Sequence, residues 1–404
     1  MAQDSPRYTI AIIGAGIAGP VVALTILSHP TLSRIYKPIV YERLPNPTPP
    51  SPANTNQPQN YTTGEVEEHA KATYAAGAAV ALTSNALFPL YQLGLREEVD
   101  AISCETKRIK IWRAYGGKER SHKYFNQITH PNWQEDLGTC LRVVERGDLQ
   151  RLVLERVREN GGEVRWGKKL VGLESVAGGV EVRFEDGEEV KVDLVVGADG
   201  GWSSVRRFIC DANGKAKGAE NWRPYFSAAD GIYGVSKPIE KHTTGEGEAE
   251  ETAGDTHWVL LDSGTASTWE LPGGRQFWTI SFPSKKPPER NSQNHKPKEA
   301  KLYGADVTLG GHSFEETAAF LKKSEDAWHP VAGSFGELFR RSERIVRAPL
   351  WYRAWEEDEI SGANVVLIGD ASRLMLPSSG QGTFPLSPIP LDLILTTFRS
   401  MFRH

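Results

Sequence analysis

Apolar and polar positions along this chain repeat with two periods, and the switches between them mark its elements. Residues 10–28, IAIIGAGIAGPVVALTILS, run for 19 positions without a charge. That length approaches the roughly 20 apolar residues of a membrane-spanning helix. A signal peptide is the other reading that length allows, although the flanking Arg7 is balanced by Asp4. The spacing Gly14-Ala-Gly16-Ile-Ala-Gly19, behind the β-rich run Tyr8–Ile13, argues instead for a strand, a glycine turn and a helix. Gly14 would make the tight turn, Gly16 would admit a pyrophosphate close to the backbone, and Gly19 would let the helix pack on the strand. Pro20 fits a first helical turn, where its missing N–H has no partner to lose. A second strand, 38–41, ends in Glu42, 23 residues after Gly19, where a ribose-binding carboxylate belongs. Strand, glycines, helix, strand and acid in this order predict dinucleotide binding and exclude a membrane span here.

Residues 44–69 break the pattern: five prolines between 45 and 52 and no periodicity predict a flexible surface loop. Order returns at 77–82, and Leu87, Leu90 and Leu93 form a short helical stripe closed by Gly94. Residues 107–126 read as a strand pair around Gly116-Gly117. A helix spans 146–160, with Leu149, Leu152, Val153 and Val157 on one face and Gly161-Gly162 as its stop. Strands at 163–166, 170–176, 180–184 and 190–192 follow, two of their turns being glycine hairpins. The short runs 194–197 and 365–368 are wholly apolar, as a buried parallel sheet requires. The middle third predicts strands at 225–233, 256–261 and 276–282, rich in aromatic and β-branched residues. Polar stretches at 240–255 and 284–304 read as mobile loops, and 314–323 and 331–341 as amphipathic helices. No internal repeat is visible.

A length of 404 residues suggests two or three domains. With 47 basic against 51 acidic residues, the charge carries no nucleic-acid footprint. Cys104, Cys140 and Cys210 are too few and too scattered for a disulfide scaffold or a Cys-x-x-Cys metal site, so no metal is expected.

Two further motifs follow buried strands. Gly197-Ala-Asp199-Gly200-Gly-Trp-Ser203-Ser-Val-Arg206 places a carboxylate at the carboxyl edge of a strand, where ligands bind open α/β sheets. Gly369-Asp370 is followed by Pro377-Ser-Ser-Gly380-Gln-Gly382, a turn able to present N–H groups to an anion or an oxygen atom. Singly, Asp199 and Asp370 read as strand-end caps; with the N-terminal glycines they make a composite.

That composite resembles the FAD-dependent aromatic hydroxylases, single-component flavoprotein monooxygenases similar to salicylate and para-hydroxybenzoate hydroxylases. The resemblance covers residues 8–42, 77–95, 142–206 and 345–382. It implies an α/β (α+β two-domain) fold: a Rossmann-like FAD-binding domain with an inserted β-sheet substrate domain, in a glutathione-reductase-like architecture. The segments would be 1–220 and 311–382 for FAD and 221–310 for substrate, with 383–404 an atypical tail. The implied FAD contacts are Gly14, Gly16, Ile17, Ala18 and Gly19 at the pyrophosphate, Glu42 and Arg43 at the ribose, and main-chain groups near Gly77 and Ala79 at the flavin. Arg146 would touch the cofactor. Asp199, Gly200 and Arg206 would serve FAD and reduced nicotinamide, Gly369 and Asp370 the ribityl chain, and Pro377, Gly380, Gly382 and Thr383 the flavin face where oxygen reacts. The implied chemistry is hydride transfer from transient NAD(P)H to bound FAD, then delivery of one atom of molecular oxygen to an aromatic or polyketide-like small molecule of secondary metabolism. The lack of a second GxGxxG fits a nicotinamide donor without its own Rossmann domain. No catalytic base is implied; His257 and Tyr233 read as packed side chains, and substrate contacts are expected around 225–233 and 258–278.

Beyond Gly382 the family continues into a long amphipathic helix, whereas here Pro385, Pro388 and Pro390 intervene, and Arg373 stands where a histidine is common. A flavin reductase, dehydrogenase or halogenase on the same fold, or a truncated and catalytically silent FAD-binding remnant, are the alternative expectations. The apolar stretch 391–398 is too short to span a bilayer. A soluble cytoplasmic protein is expected, peripheral membrane association being the alternative, with the oligomeric state left open.

Overall fold

The computed structural model describes residues 8–46, 79–115, 121–129, 138, 140–214, 222–239, 254–288, 301–362 and 364–377. Its first sheet has the order Ser361–Gly362, Val365–Leu367, Leu194–Gly197, Tyr8–Ile13, Tyr36–Tyr41, Glu163–Arg165, parallel except at the first pair. Strands buried on both faces need apolar runs. One face meets the helices Ala18–Ser28 and Arg146–Glu159 through Ile10, Ile12, Leu24, Val153 and Val157. The other meets the meander Leu170–Val176, Gly179–Phe184, Glu189–Val192 through Ala11, Ile13 and Tyr41, the last stacked on Phe184 at 4.8 Å. The apolar run at 10–28 is therefore a strand and a helix broken by the glycine turn. No helix among the described residues is long and apolar enough to cross a membrane.

The second, ten-stranded sheet follows the order Lys301–Leu302, Ala305–Thr308, Ser342–Ala354, Tyr225–Ser236, Arg275–Pro283, Thr265–Leu271, Asp255–Leu260, Arg108–Ala114, His122–Thr129, with Arg373–Leu374 joined to the Ser342–Ala354 strand. Helices Phe314–Ser324 and Phe335–Arg340 cover one of its faces, packing Leu321, Phe335, Leu338 and Phe339 on Trp278, Ile280 and Ile345. A small sheet, Ala79–Leu82, Leu141–Glu145 and Ser103–Thr106, touches the other face through Ala79, Leu141 and Val143 against Val235, Leu271 and Phe277.

Several sequence expectations are corrected by this topology. The strand pair at 107–126 forms, but at the edge of the large sheet, where Arg108–Ala114 runs parallel to Asp255–Leu260. The helix expected over 331–341 begins only at Phe335, because Trp328–His329 pairs with Gly333–Ser334 and the Ser334 hydroxyl accepts the Glu337 N–H. The return to the first sheet, expected at 311, comes at 361: both preceding helices and the long strand Ser342–Ala354 belong to the large sheet. The end of the loop expected at 284–304 is a hairpin, Lys301–Leu302 with Ala305–Thr308. The bulk of the expected loops (47–69, 240–253, 289–300), Gly116-Gly117 and the tail 383–404 lie outside the described residues.

Candidate functional site

The glycines of the first loop divide by what a side chain would strike. Gly14 has φ +112°, and a Cβ there would stand 2.4 Å from the Ala198 carbonyl oxygen. At Gly19 it would stand 2.1 Å from the Gly14 carbonyl oxygen. Packing of strand, turn and helix therefore requires both. At Gly16 the nearest atom is Arg146 Nη2, 3.5 Å away, so this position is held open toward a space rather than toward protein. Ile17 is buried in the core, and Ala18 opens the helix, whose first N–H groups have no intrahelical acceptor.

Glu42 braces this loop. Its Oε2 accepts the Ala15 N–H at 2.8 Å and its Oε1 the Leu44 N–H at 3.0 Å, leaving further lone pairs of the carboxylate for a hydroxyl donor. Arg43 beside it is exposed. From the other side Gln150, which sequence reasoning missed, donates from Nε2 to the Ala15 carbonyl at 2.6 Å. Its only local signal is the four-residue offset from Arg146, which puts both on one helix face.

Arg146 is the first residue of its helix and makes no hydrogen bond among the described residues. Glu145, just before it, accepts Arg275 Nη1 at 2.5 Å and Arg344 Nη2 at 2.8 Å. Burial raises the Glu145 pKa, but hydrogen bonds and charge from the two guanidinium groups bring it below the usual carboxylate value. The helix start is thereby fixed to the large sheet. Ala79 pairs with Glu145 in the small sheet and so lies at the same junction.

Asp199 Oδ2 accepts the N–H groups of Ser204 and Val205, capping the helix Ser204–Ala212, while its buried Oδ1 has no hydrogen-bond partner among the described residues. Burial pushes its carboxyl up. Gly200 turns the chain at φ +83°. Arg206, expected at the cofactor, is fully buried and committed elsewhere: Nη1 donates to Ala371 O at 2.5 Å, Nη2 to Gly201 O at 2.5 Å and Nε to Trp222 O at 2.9 Å, with Trp355 stacked against it at 3.6 Å. Burial lowers its pKa to about 10, so it remains charged at neutral pH.

Gly369, at φ +57°, brings the third loop against the first, its would-be Cβ lying 3.0 Å from Ala18 Cβ. Asp370 is exposed at the end of this loop, yet desolvation by the protein around it raises its pKa to about 6 against the opposing charge of Arg146. The Ala198 N–H bonds to Ile13 O and the Ile368 N–H to Gly197 O, locking the three loops side by side. Pro377 is exposed at the end of the described segment, while Gly77, Gly380, Gly382 and Thr383 lie outside it. No group of three His, Cys, Asp or Glu among the described residues is placed to hold a metal.

The large sheet presents two unlike faces to its surroundings. Ile232, Val259, Ala266, Trp278 and Ile280 are completely buried on the helix-covered face. Tyr233, Trp258, Ser267, Thr279 and Ser281, offset by one residue, are half-buried on the face that carries the small sheet and Arg344. Burial raises the Tyr233 pKa, the charges of Arg344 and Arg146 opposing it. His257 belongs to the covered face, where its Nδ1 accepts Trp112 Nε1–H at 3.2 Å.

Comparison with known proteins reports on this arrangement. The model of the FAD binding domain family matches residues 61–222, which include the second motif but not the first loop. The FAD-dependent monooxygenase pynG of Aspergillus niger is 25% identical over 337 residues, 78% of this chain and 69% of that protein. Salicylate hydroxylase of Pseudomonas putida is 25% identical over 323 residues, 78% of this chain and 67% of that enzyme. In fold, the chain is similar to 2,6-dihydroxypyridine-3-hydroxylase from Arthrobacter nicotinovorans, with TM-score 0.63, 19% identity and coverage of 93% and 80% of the two chains. Klebsiella pneumoniae HpxO complexed with FAD and uric acid gives TM-score 0.62 at 19% identity over 93% and 76%.

Proposed function

We propose that this chain, similar to the FAD-dependent aromatic hydroxylases, is an FAD-dependent monooxygenase that uses NAD(P)H and molecular oxygen to hydroxylate or epoxidise an aromatic or polyketide-like small molecule. The observation that carries this reading is the set of unmet polar groups around the three locked loops: the Arg146 guanidinium, Asp199 Oδ1, the Asp370 carboxyl and the first N–H groups of the helix Ala18–Ser28. Each matches a part of FAD in chemical type. Gly16, Ile17, Ala18 and Arg146 would hold the pyrophosphate, combining helix-end N–H groups with a guanidinium. Glu42, with Arg43 near it, would take the adenosine ribose, and Asp370 beside Gly369 the ribityl hydroxyls. Asp199 and Gly200 would line the same cleft, with Gly77, Ala79, Pro377, Gly380, Gly382 and Thr383 around the flavin. Arg206 is a positioning residue in this reading, since it is fully buried and each of its three nitrogens donates to a main-chain carbonyl.

When bound and reduced, FAD supplies the activation of oxygen that no amino-acid side chain provides. The chain's own contribution is to fix the cofactor between two rigid sheets and to offer the half-buried face of the large sheet to the substrate. A cytoplasmic setting, where reduced nicotinamide is available, goes with this reading. The test is the absorption spectrum of the purified protein followed by NADPH oxidation in air. Stoichiometric FAD and substrate-stimulated, oxygen-dependent consumption are expected. A colourless protein that does not take up FAD would overturn the proposal.

A further inference from the structure

The registers of the large sheet arrange its open face into rows. Tyr233 lies opposite Thr279, Thr279 opposite Ser267 and Ser267 opposite Trp258; one row further, Gly231 lies opposite Ser281 and Ser281 opposite Thr265. Residues directly opposite in a sheet share a face. Thr279, Ser281, Ser267 and Thr265 thus form a square of hydroxyl side chains on two neighbouring strands, walled by Tyr233 on one side and Trp258 on the other. Three inter-strand steps separate the walls, roughly 14 Å at about 4.8 Å each, which suits fused rings better than one benzene ring. The square is half-buried, with Thr265 exposed at its rim. Ser267 accepts the Trp269 indole N–H at 2.9 Å, while Thr265, Thr279 and Ser281 have no side-chain partner among the described residues.

Of the cations bordering this bed, Arg146, whose charge reaches Tyr233, goes to the pyrophosphate in the reading above, and the others are already matched. Arg344 pairs with Glu145, and Arg113 with Asp262 and the Leu261 carbonyl. A substrate carboxylate placed here would lose water without gaining a cation in return, which is unfavourable in a half-buried site. Hydroxyls, by contrast, donate to ketone and lactone oxygens, and both donate to and accept from a phenol O–H.

Resting on the monooxygenase reading above, we propose that the hydroxyl square of Thr265, Ser267, Thr279 and Ser281 selects a neutral, oxygen-bearing fused-ring substrate and discriminates against carboxylated aromatics. The test titrates FAD-loaded protein by calorimetry with 1-naphthol and with 1-hydroxy-2-naphthoate, which differ by one carboxylate. 1-Naphthol is expected to bind about tenfold more tightly. The double variant Thr279→Val, Ser281→Ala is expected to weaken 1-naphthol about tenfold, the scale of one or two hydrogen bonds, with unchanged FAD content. Thr265→Arg, at the exposed rim, is expected to strengthen 1-hydroxy-2-naphthoate about tenfold. Equal or tighter binding of the carboxylate by the unmodified protein, binding of neither compound, or indifference of 1-naphthol to the double variant would each overturn the proposal. The absorption spectrum separates the two levels: FAD bound with the wrong preference defeats only the substrate class, whereas failure to bind FAD defeats the reading beneath it.

Discussion

Arg206 donates a hydrogen bond to the carbonyl of Ala371 across 165 positions of sequence, and so ties the loop after one strand of the first sheet to the loop after its neighbour. Asp199 precedes Arg206 in one loop and Asp370 precedes Ala371 in the other. The separation of the two carboxylates is therefore set by a fully buried residue whose three bonded nitrogens all point at main-chain carbonyls. Removing the guanidinium would strand three carbonyls in a dry environment, each costing about 1–3 kcal/mol. Arg206→Ala is expected to lower stability by roughly 3 kcal/mol or more, a fall in Tm on the order of 5–10 °C, and to abolish FAD retention. Arg206→Lys should recover little, because one ammonium cannot reproduce a three-way fork. Differential scanning fluorimetry with a flavin spectrum decides it.

The first-loop glycines separate folding from binding. Gly14→Ala meets both a positive φ and a carbonyl at 2.4 Å, and is expected to cost several kcal/mol and leave the protein unfolded or FAD-free. Gly16→Ala meets an ordinary contact at 3.5 Å, so its stability without FAD should stay within about 1 kcal/mol of the parent. Its methyl would nonetheless occupy the space proposed for the pyrophosphate, and FAD affinity should fall at least about 100-fold. Equilibrium dialysis of the apoproteins gives the comparison.

With Asp370 at the ribityl chain as proposed, FAD binding should depend on pH. Its pKa without the cofactor is about 6, above the ordinary 3.8, because of desolvation. For the apoprotein, a raised carboxyl pKa contributes stability that is present below pH 4 and lost as pH rises toward 6. For binding the sign reverses: a carboxylate accepts ribityl hydroxyls better than the neutral acid does. FAD affinity should therefore fall by up to about tenfold per pH unit below pH 6. Asp370→Asn should bind weakly with this dependence flattened, as fluorescence titration of FAD between pH 5 and 8 would reveal.

Glu145 supplies an acid-sensitive latch between the small sheet and the large one. Its pKa in the folded protein lies below the ordinary 4.5, so its contribution is present above about pH 4.5 and lost as pH falls through the lower, folded value. Thermal melts from pH 3 to 7 should show a steeper acid limb for the parent than for Glu145→Gln. The variant should also hold FAD several-fold less tightly at pH 7, because Arg146 sits on the helix that the latch anchors.

What the sequence made legible was local. Glycine spacing, a strand-end acid and an apolar run of four residues are short-range signals, and the loops at 14–19, 197–200 and 369–370 meet as the three motifs suggested. What it concealed depends on distant partners. Glu145 finds Arg275 and Arg344 130 and 199 positions away, and no local pattern announces that pairing. The strand Ser342–Ala354 went unread because its arginines mask the alternation. Arg347 is buried against Asp230 at 2.8 Å and Arg353 under Tyr225 at 4.6 Å, so charges that suggest solvent are interior. Likewise Arg206 matched a cofactor motif by spacing, while its burial and its three carbonyl partners could be read only from coordinates.

The strand order of the first sheet bears on how the protein is made. The central strand Tyr8–Ile13 and its glycine loop leave the ribosome well before Leu194–Gly197, which pairs with that strand, and Val365–Leu367, which pairs with Leu194–Gly197 in turn. At about 5–20 residues per second, roughly 20–70 s of synthesis separate the first of these strands from the last. Throughout that interval an apolar strand edge stays unpaired, the kind of surface that chaperones shield and aggregates recruit. Nascent chains arrested before residue 361 should accordingly bind holdase chaperones and fail to retain FAD, while the large sheet, still lacking Ser342–Ala354 until late, offers no shelter of its own.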